Sequence, residues 1–394
     1  MQPTMRSCEK TGWQAEAPAP QSSPVRAGPP GPALLVSEQA GQGVVRGPGG
    51  PPHKNRRRLR RLESAVAQSV SSSLLTRREW LAASAGTALL TGCGEERPII
   101  PSIVSIVRAP AYDQRIYETV RRMLQEHRLD VRGRNVVLKP NLVEFEPESS
   151  INTHPLLVHA ACEAFRAMGA ASVRIAEGPG HRRNTLDLAE AAGYFKTVPR
   201  FEDTFVDLNL DDVTRVHPAR QFSRFGALYL PNTALGADLL VSMPKMKTHH
   251  WAGATLAMKN LFGVVPGGIY GWPKNALHWA GIHESIADLH AAFPRRFAIV
   301  DGIVGMEGNG PIQGTPKPAG VLVAGPDPVA VDATCCRIMR IDPMRMGYIR
   351  LAASRGAESQ LSEASIIQTG ETIESVATPF ELIPVFQRLR MGNT

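Results

Sequence analysis

Residues 135–177 read NVVLKPNLVEFEPESSINTHPLLVHAACEAFRAMGAASVRIAE, and this stretch decides the fold. Asn135–Lys139 is a short apolar run with paired valines, the pattern of a buried strand. Pro155–Met168 carries apolar residues at helical spacing, with proline in the first turn, where its missing N–H leaves no helix bond unmade. Ser172–Glu177 is a second strand.

The same alternation continues outward. The spacing predicts strands over Ile103–Arg108, Phe205–Asn209, Asp238–Met243, Phe297–Asp301 and Gly320–Ala324. It predicts helices over Asp113–His127, Ile282–Phe293, Asp327–Met339 and Pro343–Arg355. Short apolar strands separated by amphipathic helices predict an α/β fold, a mostly parallel sheet with helices on both faces. Residues 102–394 form one such domain.

The first quarter of the 394-residue chain is different. Residues 1–75 are rich in Pro, Gly, Gln and Ser, too poor in apolar surface to offset the entropy of ordering. They read as a disordered extension, or as sequence preceding a true start near Val66 or Val70. Up to Cys93 there are 12 Lys/Arg and 5 Asp/Glu, a net of +7, against +8 for the whole chain. The remainder therefore carries 8 − 7 = +1. The basic balance belongs to the leader, so no nucleic-acid partner is expected of the folded part. Residues 76–93 read TRREWLAASAGTALLTGC. Arg77 and Arg78 precede an apolar run too short to span a bilayer, which resembles a twin-arginine export signal. Leu90–Cys93 resembles a lipobox, with Cys93 the lipidated residue. Residues 94–101 form a linker. These features predict a cell-envelope or periplasmic protein, handled by the twin-arginine translocation machinery and held to a membrane by a lipid anchor.

Ligands of open α/β sheets bind beyond the carboxyl ends of the strands, and polar or glycine-rich segments follow the strands here. Lys139 and Asn141 follow the first strand of the opening stretch. Pro244–His250 (PKMKTHH) follows DLLVSM and places Lys245, Lys247, Thr248 and His249 together, either to hold an anion or as a solvated basic loop. Lys259 and Asn260 come next, with Asn260 and Gly263 fitting a helix end. Gly178 and Gly180 lie in a turn whose backbone N–H groups either approach an oxyanion or simply close the turn. Asp301 and Glu307 flank a glycine-rich segment whose oxygens suit Mg²⁺ or Ca²⁺, or are solvated acids of a tight turn. Asp327 reads as a helix N-cap. Asp332 interrupts an apolar helix, either for buried hydrogen bonding or for catalysis. Of the histidines beyond these, His278 is the better site candidate. Cys162, Cys335 and Cys336 contain no C-x-x-C spacing, so this chain alone builds no iron–sulfur cluster; Cys335 and Cys336 read as small buried residues.

Taken together, KPN, Thr153-His154-Pro155, EGPG, PKMKTH, MKNLFG, DG…EGNGP and DPVAVDA resemble the family named domain of unknown function 362, from about 103 to 350. The resemblance implies that Lys139, Asn141, His154, Lys245, Lys247, Thr248, His249, Lys259, Asn260, Asp301, Glu307 and Asp332 are the shared polar set. Many relatives look like fusions to ferredoxin modules, so a redox partner is implied, here as a separate protein. A more distant similarity is to nickel-cofactor lactate racemases, which surround an anionic substrate with His and Lys.

The resulting expectation is an enzyme whose crevice takes an anionic small molecule or cofactor on Lys139, Asn141, Lys247, Thr248, Lys259, Asn260, Gly178 and Gly180. His249, Lys245 and Asp332 are the catalytic candidates, and Asp301 and Glu307 the ligands of a divalent metal. Replacing Lys245 or His249 by alanine should then remove binding without disturbing the fold. A non-catalytic binding lipoprotein and an accessory subunit of an exported redox complex are the alternatives.

Overall fold

The computed structural model describes residues 101–180, 183–218, 221–353 and 361–392. Arg77, Arg78 and Cys93, with the whole leader reading, lie outside the described residues.

Among the described residues the chain forms twelve strands. They are β1 (Ser102–Arg108), β2 (Asn135–Pro140), β3 (Ser172–Glu177), β4 (Phe205–Asp207), β5 (Val213–Val216), β6 (Leu228–Pro231), β7 (Leu239–Met243), β8 (Lys245–His249), β9 (Gly253–Thr255), β10 (Arg296–Asn309), β11 (Gln313–Gly325) and β12 (Ile366–Gly370). The main sheet runs β12-β1-β11-β10-β7-β2-β3-β4, with β8 paired to β10 and β9. The pairs β1–β12, β10–β7, β10–β8, β2–β3, β2–β7 and β3–β4 are parallel. The pairs β1–β11, β10–β11 and β8–β9 are antiparallel. The fold is thus a mostly parallel, mixed sheet.

Helices cover both faces. The helices that matter for the site are α1 (Arg115–Glu126), α2 (Pro155–Ala167), α3 (Ala257–Asn260), α4 (Asn275–Trp279), α5 (Ile282–Ala292) and α6 (Pro328–Ile338). Side chains alternate across a strand with period two, and the strands divide their residues accordingly. Val136, Leu138, Val241, Phe297 and Ile299 pack with Val120 and Leu124 of α1 and Leu157 and Phe165 of α2. Val137, Leu240, Ala298 and Val300 pack on the other face with Ile286 and Leu289 of α5 and Val331 and Ile338 of α6. Each such fully buried side chain contributes about 1.5–3 kcal/mol, which is why these runs are apolar on both faces. Cys335 and Cys336 are buried in this second core, as small hydrophobes.

Three predicted segments differ. Pro343–Arg355 is not one helix but a 3₁₀ turn, Pro343–Arg345, and a short helix, Gly347–Ala353. The segment after Asp301 is not a loop: β10 runs on to Asn309 and returns as β11, a long antiparallel ribbon. Nor is PKMKTHH a loop. Pro244 interrupts the chain after β7, and Lys245–His249 starts a new strand alongside β10.

Candidate functional site

Strand β8 places its residues by alternation. Lys245, Lys247 and His249 share one side of the strand, while Met246 joins the core and the Thr248 hydroxyl donates to the carbonyl of Gly308 at 2.8 Å. Together with the ends of β2 and β3, α3 and the segment leading into α4, the Lys247–His249 end of β8 lines a cleft of about 240 Å³. Asn141, Glu177, Gly178, Gly180, Lys259, Asn260, Lys274 and His278 also line it. The tip of the β10–β11 ribbon, Pro311 and Ile312, supplies another wall.

The chemistry of the site is that of buried lysines. Lys139 Nζ is 2.7 Å from Glu177 Oε2, and both side chains are inaccessible to solvent. Burial pulls the Lys139 amine down, and the Glu177 carboxylate opposes it. Lys245 Nζ lies 2.7 Å from Asp301 Oδ2 and 2.9 Å from the Tyr112 hydroxyl. Three others have no carboxylate. Lys247 Nζ donates to the carbonyls of Ile151 and Pro311 at 2.8 and 3.1 Å. Lys274 Nζ donates to the carbonyls of Gly178, Phe262 and Gly263. Lys259 Nζ sits 3.9 Å from the centroid of the Phe262 ring, with no hydrogen-bond acceptor among the described residues. Desolvation lowers Lys247 well below the usual lysine range and brings both Lys259 and Lys274 to about 7.

Two of the three imidazoles lining the cleft, His249 and His278, take opposite tautomers. His249 Nδ1 accepts the backbone N–H groups of Trp251 and Ala252 at 3.0 and 3.2 Å. Its neutral ring therefore carries the proton on Nε2, where it is a donor. Burial, then the neighbouring Lys259, holds its pKa well below the usual histidine value. His278 Nδ1 lies 3.3 Å from the Lys274 carbonyl, to which only an N–H can donate, so Nε2 keeps its lone pair. Burial and Lys259 lower it to about 4. Two further polar atoms of the cleft wall, Asn141 Oδ1 and Thr255 Oγ1, are buried without a hydrogen-bond partner.

Close packing sets the cleft floor. A Cβ on Gly263 would sit within 1.9 Å of Glu177 Oε1 and 2.5 Å of Lys139 Nζ. Gly263 is thus required by the ion pair beneath it, rather than by a helix-end conformation. Asn260 ties α3 to the sheet, its Nδ2 donating to the Lys139 carbonyl at 3.0 Å and to Ser242 Oγ at 3.1 Å.

Several expected roles change. Asp332 is fully buried, and its two oxygens accept the N–H groups of Ala257 and Met258 at 2.7 and 3.1 Å. It caps the start of α3, outside the cleft lining, and so holds that helix in place. Asp301 is occupied by Lys245, by the Tyr112 hydroxyl at 2.8 Å and by the His154 N–H at 2.9 Å. Glu307 is six residues further along β10, roughly 20 Å at strand spacing. It accepts from the Glu381 N–H at 2.8 Å and pairs with Lys317 at 3.1 Å. The two acids stand at separate points along β10. In this tautomer His249 offers a proton at Nε2. Lys245 turns away to a second, separate cavity of about 420 Å³ with Tyr112 and His154. The Gly178 N–H is taken by Glu177 Oε1 at 2.9 Å, while Gly180 lines the cleft, and the Thr248 hydroxyl bonds the ribbon.

Reading the sequence did not single out Tyr112 and Lys274, and met Glu177 only as part of a turn. Glu177 had a signal, a carboxylate closing an apolar strand. Tyr112 and Lys274 lie in irregular segments, and Lys274 adopts a left-handed conformation with φ of 69°; no local pattern marks them.

The fold and site define an α/β domain with a lysine-lined cleft beside a mostly parallel sheet. The chain belongs to the family described as Domain of unknown function (DUF362), whose model matches residues 136–337. It is 30% identical over 217 residues to a thylakoid-associated protein of Synechocystis sp., covering 54% of this chain and 64% of that relative. Among solved structures, it is similar to the lactate racemase apoprotein of Thermoanaerobacterium thermosaccharolyticum, with 19% identity, TM-score 0.38, and 61% and 58% of the two chains covered. A Thermotoga maritima protein matches with 12% identity, TM-score 0.38, and 63% and 60% coverage. The chain thus spans less than two thirds of the length of each of these proteins.

Proposed function

We propose that the cleft binds a small anionic molecule and that the protein is an enzyme acting on it. The observation that carries this reading is the charge imbalance: Lys247, Lys259 and Lys274 are buried at one cleft with no carboxylate partner. Burying an ammonium group is costly unless a counter-charge meets it, and an anionic ligand is that counter-charge. The His249 Nε2–H and the unpartnered Asn141 Oδ1 and Thr255 Oγ1 supply directional contacts. His278 Nε2 is the group able to take a proton.

Titration calorimetry with small carboxylates and inorganic phosphate tests this. Affinity should fall as pH rises through about 7, because the anion favours protonated Lys259 and Lys274. Lys247→Met and Lys259→Met should each weaken binding at least about tenfold, the equivalent of about 1.4 kcal/mol. Binding unaffected by both substitutions, or no binding of any anion, would remove this reading.

The leader supports a second element of the proposal, that the protein is exported and lipid-anchored through Cys93. The Synechocystis relative is named as thylakoid-associated. No described helix is long and apolar enough to cross a membrane. Cys93→Ser should move the protein from the membrane to the soluble fraction of its host; retention in the membrane fraction would refute the anchor.

A further inference from the structure

Lys259 differs from every other lysine of the cleft. Lys139 meets a carboxylate, and Lys247 and Lys274 donate to carbonyl oxygens. Lys259 Nζ lies over the Phe262 ring, with no hydrogen-bond acceptor among the described residues. It stands on α3, whose first two N–H groups are gripped by Asp332, so the side chain leaves from a fixed base. The Phe262 ring that carries the Lys259 amine also packs edge-on against His278, with centroids 5.4 Å apart. The amine and the free imidazole lone pair therefore share one wall of the cleft.

In its unprotonated form, an amine largely buried in a cleft wall and without a hydrogen-bond acceptor is able to act as a nucleophile. We propose that Lys259 forms an imine with a small 2-oxo acid. The Nζ lone pair attacks the ketone carbon. One proton moves from nitrogen to the alkoxide oxygen, giving the carbinolamine, and a second leaves nitrogen through His278 Nε2 and is delivered to the carbinolamine hydroxyl. That hydroxyl departs as water, and the C=N bond forms. One amine and one carbonyl give one imine and one water, with no oxidation or reduction. The carboxylate of the same molecule meets Lys247 and the His249 Nε2–H, so this inference rests on the anion site proposed above. The cleft volume of about 240 Å³ suits a ligand of this size. The Lys259 amine, brought to about 7 by burial, is substantially unprotonated at neutral pH. Lys139 and Glu177 face it from β2 and β3, Lys247 and His249 from β8, and Lys274 and His278 from the α4 segment.

The test is reductive trapping on the full chain with pyruvate and cyanoborohydride, followed by peptide mapping, with propanoate binding measured in parallel. One adduct should form at Lys259, well ahead of surface lysines, with its rate rising through pH 7. Lys259→Arg should lack it while keeping the melting temperature and some propanoate affinity. Propanoate binding without preferential trapping at Lys259 overturns the imine and leaves the anion site standing. Binding of neither acid overturns both.

Discussion

Lys139 and Glu177 form a completely buried ion pair, Nζ to Oε2 2.7 Å, between two neighbouring parallel strands. Glu177 Oε2 also accepts the Leu142 N–H at 3.1 Å, and Oε1 that of Gly178. The carboxylate thereby fixes the turns that follow β2 and β3, the two turns on which the cleft is built. Breaking a buried pair on one side leaves the other charge uncompensated, at about 3–5 kcal/mol. Glu177→Gln and Lys139→Met should each lower stability by that order in urea titration. The double variant should recover part of the loss, since the orphan charge is gone. A double variant as unstable as the sum of the singles would show that the pair acts as separate packing groups. The same reasoning applies to Lys245 and Asp301, so Lys245→Ala is expected to destabilise the fold.

His249 separates binding from stability. In His249→Asn, the amide oxygen takes the place of Nδ1 in accepting the Trp251 and Ala252 N–H groups, as asparagine does in tight turns, while the Nε2–H donor is lost. The melting temperature should stay within about 2 °C of the parent, about 0.5 kcal/mol for a domain of this size, and anion affinity should drop about tenfold. Unfolding of the variant would mean that the ring is needed for packing.

Asp332 links α6 to α3, and burial raises its carboxyl to about 8 despite the two N–H groups it accepts. The native state then holds a proton that the unfolded chain releases near pH 4. By linkage, stability is full below about pH 4 and declines as pH rises towards about 8. Asp332→Asn should abolish this slope in thermal melts across that range. Asp332→Ala should cost about 2–4 kcal/mol by leaving two buried N–H groups unmet, and should lower anion affinity by loosening α3. A slope that persists unchanged in Asp332→Asn would assign it to other groups.

The central strands were legible because both faces are buried. Val136, Val137 and Leu138 leave no polar residue to confuse the reading, and Pro155 marks the start of α2 directly. The family was legible from its ordered motifs. The site residues were legible as types rather than as partners. A strand that turns polar lysine and histidine into clefts has the hydropathy of a loop, so the alternation Lys245, Lys247, His249 left an anion-holding cluster and a solvated loop indistinguishable by sequence. The acids misled for a related reason. Asp301, Glu307 and Asp332 look free in sequence because their partners, Lys245, the Glu381 N–H and the N–H groups of α3, come from distant segments. Only tertiary placement shows that each carboxylate is already engaged.

The β10–β11 ribbon sets the remaining wall of the cleft at its far end. Lys247 reaches the Pro311 carbonyl there, and the His250 N–H reaches that of Gly310 at 2.9 Å. Among the described residues, the central strands β2, β3 and β7 do not pair with that tip. Adding or removing residues in pairs keeps each side chain on its own side of a ribbon, so relatives can acquire a roomier or tighter chamber through indels at 309–313 alone. Ligand choice and thermodynamic robustness can then diverge independently within one lineage, with the hairpin as the interchangeable part.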